Sequence, residues 1–264
     1  MTNILEKIYH DKIIEVRERK KHLSLENICK NIKCQNFTPN RFFNALKAKK
    51  EANQTALICE LKKASPSKGI IRHNFNHLEI AKIYQDNGAT CLSILTDEKY
   101  FLGSDKYLRE VRENYNIPIL RKDFIISKYQ IYEAKMLGAD AILLIVAMLD
   151  DKKLAELEQI ALDCGLSVLI EIHNQEELER ALKLKSKLIG VNNRNLKTMQ
   201  VDIENSIKLL PQIPSDYLVV SESGINDINT LKHLKGLGIN CFLIGEYFMQ
   251  QQDFANIVAQ FSKI

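Results

Sequence analysis

Eight short β-rich runs that alternate with amphipathic helical stretches predict an α/β protein, a (β/α)8 TIM barrel with an N-terminal helical extension. Two further observations support a closed ring over an open sheet. Glycines 88, 138, 165 and 238 each follow a helical pattern and precede the next run, which is the stop signal a repeating βα unit needs. No G-x-G-x-x-G follows the first run, as an open dinucleotide-binding sheet would require.

The elements follow in order. Ile4, Leu5, Ile8, Tyr9, Ile13 and Val16 recur at helical spacing, and Phe42, Phe43 and Leu46 mark a second helix. Residues 1–50 therefore read as a helical extension packed on the barrel, with 1–264 forming a single domain, because no Gly/Ser/Pro linker separates the two. The basic run R-E-R-K-K (17–21) reads as a solvated helix end rather than a nucleic-acid patch. The strand candidates are A-L-I-C-E-L (56–61), C-L-S-I-L-T (91–96), P-I-L-R-K (118–122) and A-I-L-L-I-V (141–146). They continue with S-V-L-I-E-I (167–172), K-L-I-G-V (187–191), Y-L-V-V-S (217–221) and C-F-L-I-G (241–245), their starts 20 to 35 residues apart. Helical stretches such as 128–138 and 151–161 lie between them.

Bulk composition narrows the function classes. At 264 residues, 45% apolar and 27% charged, the chain matches a soluble globular protein with a sizeable core. A net charge of +4 suits an anionic substrate but is too mild for a nucleic-acid partner. The longest apolar run, 141–149, is too short to span a bilayer, and the first residues contain no continuous hydrophobic segment. Six cysteines without any C-x-x-C read as free thiols in a reducing cytoplasm. His73 and His77 stand at i, i+4, but no third ligand accompanies them, so a metal site is not expected.

Charge at strand ends is the functional signal. In L-I-C-E-L-K-K-A-S-P-S-K-G (57–69) an apolar strand ends in Glu60, Lys62 and Lys63. Alternation puts Glu60 and Lys62 on one face and Lys63 on the other, which favours Lys62 of the two lysines. The third strand ends in Lys122, the fifth in Glu171, the sixth leads to Asn192 and Arg194, and the seventh to Glu222 and Ser223. A barrel of this kind carries its chemistry where strands end, and opposite charges gathered there can be tuned for acid–base work. Gly224 and Gly245 follow the seventh and eighth strands, where backbone amides commonly cradle a phosphate. Ser65 lies in a donor-rich loop able to close over the same group, and 62–72 reads as a candidate lid.

These motifs, in this order, resemble the indole-3-glycerol-phosphate synthases of tryptophan biosynthesis. The resemblance runs from the N-terminal helix to the last strand and is carried most specifically by E-L-K-K-A-S-P-S-K-G (60–69) and P-I-L-R-K-D-F-I (118–125). V-L-I-E-I-H (168–173), I-G-V-N-N-R-N-L (189–196), V-S-E-S-G-I (220–225) and L-I-G-E (243–246) add to it. It implies ring closure, decarboxylation and dehydration of an anionic phosphosugar-anthranilate substrate by a carboxy-lyase that uses no cofactor and no metal. The free cysteines, the mild charge and the short apolar runs point to a cytoplasmic protein with no nucleic-acid or membrane partner, and it is read as a monomer.

By the same resemblance Lys122 would be the acid on the substrate carbonyl. Glu171 would move a proton in the dehydration, beside Glu60 and Asn192. Lys62 would meet a substrate anion and Arg194 would order the rim. Ser65, Gly224 and Gly245 would line the phosphate site, with Glu222 and Ser223 completing the wall. Phe101, Phe124, Leu143 and Leu196 would hold the aromatic ring. Asn195, Tyr247 and Tyr100 depart from the aspartate, serine and phenylalanine common in that family. The nearest alternative is a phosphoribosylanthranilate isomerase, in which Cys59 would be the base. A non-catalytic barrel, acting as a scaffold or RNA-binding protein, is the alternative from another class.

Overall fold

The computed structural model describes residues 4–32, 38–195 and 198–264. Strand β1 (Ala56–Leu61) pairs in parallel with β2 (Cys91–Leu95) on one side and with β8 (Cys241–Ile244) on the other, closing a barrel. Strands β3 (Ile119–Lys122), β4 (Ala141–Ile145), β5 (Ser167–Ile172), β6 (Leu188–Asn192) and β7 (Leu218–Glu222) complete the ring in sequence order. Every strand boundary lies within one residue of the run read from the sequence. Residues Ala64–Ser65 and Gly69–Ile70 form a small antiparallel pair in the loop after β1.

Outside the ring lie α4 (His77–Asp86), α5 (Glu98–Phe101), α6 (Asp105–Asn114), α7 (Lys128–Leu137) and α8 (Asp151–Asp163). They continue with α9 (Gln175–Ala181), α10 (Glu204–Leu209), α11 (Ile228–Gly236), α12 (Glu246–Gln250) and α13 (Phe254–Ser262). Polar side chains satisfy free amides at the starts of all of these but α10 and α12, as Ser127 does for α7 in a reciprocal pair with Gln130. Gly88, Gly138, Gly165 and Gly238 all have positive φ, and Gly138 stops α7 in the left-handed conformation.

Side-chain alternation divides the protein into two cores. Leu57, Cys59, Leu92, Ile142, Ile170 and Ile189 face outward and pack under the helices. Ala56, Ile58, Cys91, Leu120, Leu143, Leu169, Val220 and Leu243 face into the barrel. The lower mouth of the ring is closed by α3 (Arg41–Glu51), whose Phe42 and Leu46 join that inner core and are fully buried.

The N-terminal helix α1 (Ile4–His22) differs in part from its sequence reading. Leu5, Ile8 and Val16 are buried, but Ile13 is 46% exposed and Lys12 takes the buried face instead. The Lys12 ammonium lies 2.9 Å from Asp97 Oδ2 and 2.8 Å from Asp123 Oδ1, so its charge is compensated where it is buried. Nor is the basic run only a solvated end, since Arg19 pairs with Glu15, Asp105 and Glu133. A helix not anticipated from the sequence, α2 (Leu25–Ile32), packs Ile28 against Val16 and Tyr129. Among the described residues no helix is long and apolar enough to cross a membrane.

Candidate active site

The inward stripes of β1, β3, β5, β6 and β7 begin apolar and end polar, at the same end of the barrel. Ile58 is followed two residues later by Glu60 and then Lys62, Leu120 by Lys122, Leu169 by Glu171, and Val220 by Glu222. Leu188 leads through Gly190 to Asn192, and Leu243 to Gly245. These ends open into a cavity of about 920 Å3. Its lining includes Glu60, Lys62, Ser65, Phe101, Lys122, Phe124, Leu143, Glu171, Asn192, Arg194, Glu222, Ser223, Gly224 and Gly245. Fourteen of the fifteen site residues read from the sequence thus share one cavity, and the remaining one, Leu196, lies outside the described residues. Lys63 does not line it.

Lys122 is the centre. Its Nζ lies 2.5 Å from Glu222 Oε2 and 3.5 Å from Glu171 Oε2. Burial opposes charge on the amine, but Glu222, Glu171 and Glu60 outweigh burial and hold it protonated. The two carboxylates respond in opposite ways. Burial pushes Glu222 up to about 7 despite Lys122. For Glu171, Lys122 together with His173 and Asn192 overcomes burial and keeps the carboxyl ionised, well below the usual range. On the next wall Lys62 Nζ lies 2.5 Å from Glu60 Oε2, and Ser93 Oγ donates to Glu60 Oε1 at 3.4 Å. Burial alone would raise Glu60, and the two lysines reverse that.

Two glycines make room for these carboxylates. A Cβ on Gly190 would stand 2.2 Å from Glu222 Oε1, and one on Gly245 would stand 2.5 Å from Glu60 Oε2. Gly190 was not among the residues singled out from the sequence. Its signal was a glycine inside a strand, which often marks a close approach by another group. Ser223 and Gly224 have φ of 67° and 83°, so the chain turns sharply after β7. Ser223 Oγ donates to Asn192 Oδ1 at 2.9 Å, as does the Arg194 amide at 3.0 Å, which ties the loops after β6 and β7 together. The Arg194 guanidinium reaches Glu246 Oε2 at 3.4 Å.

Part of the lining is apolar. Phe101 and Phe124 sit with ring centroids 6.1 Å apart, beside Leu143. Ile4, Leu5 and Ile8 of α1 extend this wall, a contribution from the extension that helical spacing could not reveal. Tyr247 also lines the cavity and packs on Phe248 and Phe261. Tyr100 donates its hydroxyl to Asp11 of α1. Cys59, the base required by the isomerase alternative, faces outward under the helices and is fully buried, so that reading loses its catalyst. Burial pushes its thiol up, away from the reactive form. His77 pairs with Glu110 at 2.6 Å and stacks on Tyr107, while His73 is exposed.

Comparison with known proteins decides the family. A family model described as indole-3-glycerol phosphate synthase matches residues 5–261. The chain belongs to the indole-3-glycerol phosphate synthase family. It is 45% identical over 260 residues to the enzyme of that name from Polaromonas sp. (strain JS666 / ATCC BAA-500), covering 98% of each chain. With the one from Polynucleobacter necessarius subsp. necessarius (strain STIR1) it shares 47% over 257 residues, 96% of each. Among solved structures it resembles 3-hexulose-6-phosphate synthase from Salmonella typhimurium, with TM-score 0.62 at 13% identity, covering 78% of this chain and 96% of that one. Tryptophan synthase subunit alpha from Legionella pneumophila str. Paris gives TM-score 0.63 at 11% identity, covering 86% and 98%. These structures share the fold. Family membership assigns a carboxy-lyase of tryptophan biosynthesis that acts on a phosphate-bearing substrate and forms indole-3-glycerol phosphate.

Proposed function

We propose that the cavity divides the synthase reaction between a cationic acid at its centre and two unlike carboxylates beside it. The observation that carries this reading is Lys122, held between Glu222 and Glu171 at 2.5 and 3.5 Å in the cavity that Phe101 and Phe124 also line. The aromatic ring of the substrate lies against Phe101, Phe124, Leu143 and Leu196. Its phosphate is taken by the loop amides at Gly224 and Gly245 with Ser65. The ring carbon bearing the carboxylate then forms a bond to the sugar carbonyl carbon. The carbonyl oxygen takes a proton from Lys122 and becomes a hydroxyl. Loss of carbon dioxide returns the bonding electrons to the ring and restores aromaticity.

Dehydration follows, and it needs both a proton donor for the leaving hydroxyl and an acceptor for the proton released on the neighbouring carbon. Glu171, kept ionised, suits the acceptor. Lys62, paired with Glu60, stands on the wall where a substrate anion or the leaving oxygen would lie. Asn192 holds Glu171, while Arg194 and Ser223 fix the loop geometry. Glu222, pushed up to about 7, shares protons with Lys122 near neutral pH and can return one to it after ring closure.

We further read the chain as one cytoplasmic, monomeric domain, 1–264, with no nucleic-acid or membrane partner. The burial of Lys12 against Asp97 and Asp123 and the plugging of the barrel by α3 support the single domain. The test is a steady-state assay following fluorescence of the indole product, with Lys122→Ala and Glu171→Gln beside the wild type. Wild-type turnover with deep losses in both variants is expected; full activity in either variant removes that residue from the mechanism.

A further inference from the structure

Glu171 and Glu222 both reach the Lys122 amine, yet they stand in different company. Glu222 Oε1 is buried against Gly190 and has no hydrogen-bond partner among the described residues. Glu171 Oε1 instead faces the ring of His173, with Nε2 at 3.3 Å. His173 is two residues beyond Glu171, so it continues the same face of β5 just past the strand end. Its other ring nitrogen, Nδ1, lies 2.9 Å from Glu177 Oε2 in the first turn of α9. The His173 backbone amide donates to that same Oε2 at 2.8 Å. Glu177 Oε1 accepts from Asn174 Nδ2 at 2.8 Å, and Asn205 Nδ2 of α10 donates to the His173 carbonyl at 3.1 Å. The ring is therefore hydrogen-bonded at Nδ1 and held through its backbone, while the buried Nε2 faces Glu171 at ion-pair distance without a hydrogen bond among the described residues.

A neutral imidazole has one donor and one acceptor nitrogen. Here both nitrogens face carboxylate oxygens, so only the imidazolium suits both partners. We propose that His173 is a positioning residue for the synthase reaction: clamped by Glu177, it presents a fixed positive edge that holds Glu171 as an oriented carboxylate. The inference rests on Glu171 being the proton acceptor of the dehydration. It explains why two carboxylates on one lysine behave differently, since Glu171 faces two cations and Glu222 faces one. The charged groups around the ring are Glu171 from β5, Glu177 from α9 and, beyond Glu171, Lys122 from β3. The His173 ring is correspondingly pushed up to about 10: burial acts against its charge, and Glu171 and Glu177 outweigh burial.

Removing the ring removes a positive charge beside Glu171, so the carboxyl protonates at higher pH and the base is lost earlier on acidification. His173→Gln is expected to move the acidic limb of the kcat profile upward by about one pH unit. KM is expected to stay within about twofold, because the ring lies behind Glu171 rather than against substrate. Glu177→Gln keeps the ring and loosens its clamp, and a smaller shift in the same direction is expected. The 15N spectrum of histidine-labelled enzyme is expected to show one ring protonated on both nitrogens at pH 8, and to lose that signature in Glu171→Gln. An unmoved acidic limb in His173→Gln, or no doubly protonated ring at pH 8, overturns the proposal. Full activity in Glu171→Gln removes the base itself, whereas the wild-type ring at pH 8 reports the clamp independently, so the two failures are distinguishable.

Discussion

Arg121 and Lys122 are neighbours in the chain but belong to opposite sides of the barrel. Arg121 faces outward, fully buried, and its guanidinium makes four hydrogen bonds, to Thr96, the Gln130 carbonyl, Asp105 and Glu133. Lys122 faces inward, where its ammonium lies among three glutamates at the floor of an open cavity. The first cluster joins α6 and α7 to β3, with Lys12 and Arg19 of α1 linked through Asp123, Asp105 and Glu133. The second keeps one face free for substrate. Both hold charge under low exposure, but only the second leaves its cation room to exchange partners. Ionisable residues near a site are thus separated by the strand face they occupy, not by their distance along the chain.

Substitutions of equal size at the two positions test this contrast. Lys122→Met is expected to lower kcat by about 10²- to 10⁴-fold, the usual worth of a general acid. Arg121→Met removes a buried cation from three acidic partners and is expected to cost about 3–5 kcal/mol in urea unfolding. Activity per folded molecule should then stay within about tenfold of wild type, since its hydrogen-bond partners all lie outside the cavity. The contrast breaks if Lys122→Met loses more stability than Arg121→Met, or if Arg121→Met stays fully stable and loses only activity.

Smaller changes sharpen it. Gly190→Ala places a methyl group against Glu222, with an expected loss of about 1–3 kcal/mol from overpacking. A drop in kcat should accompany it, because the carboxylate must move off Lys122; unchanged turnover would show that Glu222 is not needed there. The smallest effect concerns pH. The His173 ring is raised from 6.5 to about 10, so its stabilisation is complete below the lower value and is lost as pH rises through the higher. Thermal melts should therefore show wild type losing about 1 kcal/mol between pH 7 and pH 8 that His173→Gln does not lose.

Much of this architecture was legible beforehand because strands obey a period of two and barrel chemistry gathers at strand ends. Glu60, Lys122, Glu171 and Glu222 were each readable as a charge ending an apolar run. His173 and Gly190 lie in the same stretches but carry no such contrast: a histidine after a strand and a glycine within one are common. Lys12 was hidden by its helix, where Ile13 looked the better core residue, because the aspartates that compensate it come from 85 or more residues away. Glu222 was readable as part of the wall, whereas its contact with Lys122 depended on the curvature of the ring.

The sequence by itself determined the order and limits of the eight strands, the inward set of polar side chains and the family to which they belong. Those follow from local periodicity and from motifs carried within single segments. Tertiary structure alone decided which charges meet. It gave Glu171 two cations and Glu222 one, and it buried Lys12 on two aspartates. The reason is physical: a charge in a buried site takes its state from the groups within a few ångströms, and closure of the barrel brings those groups from distant parts of the chain.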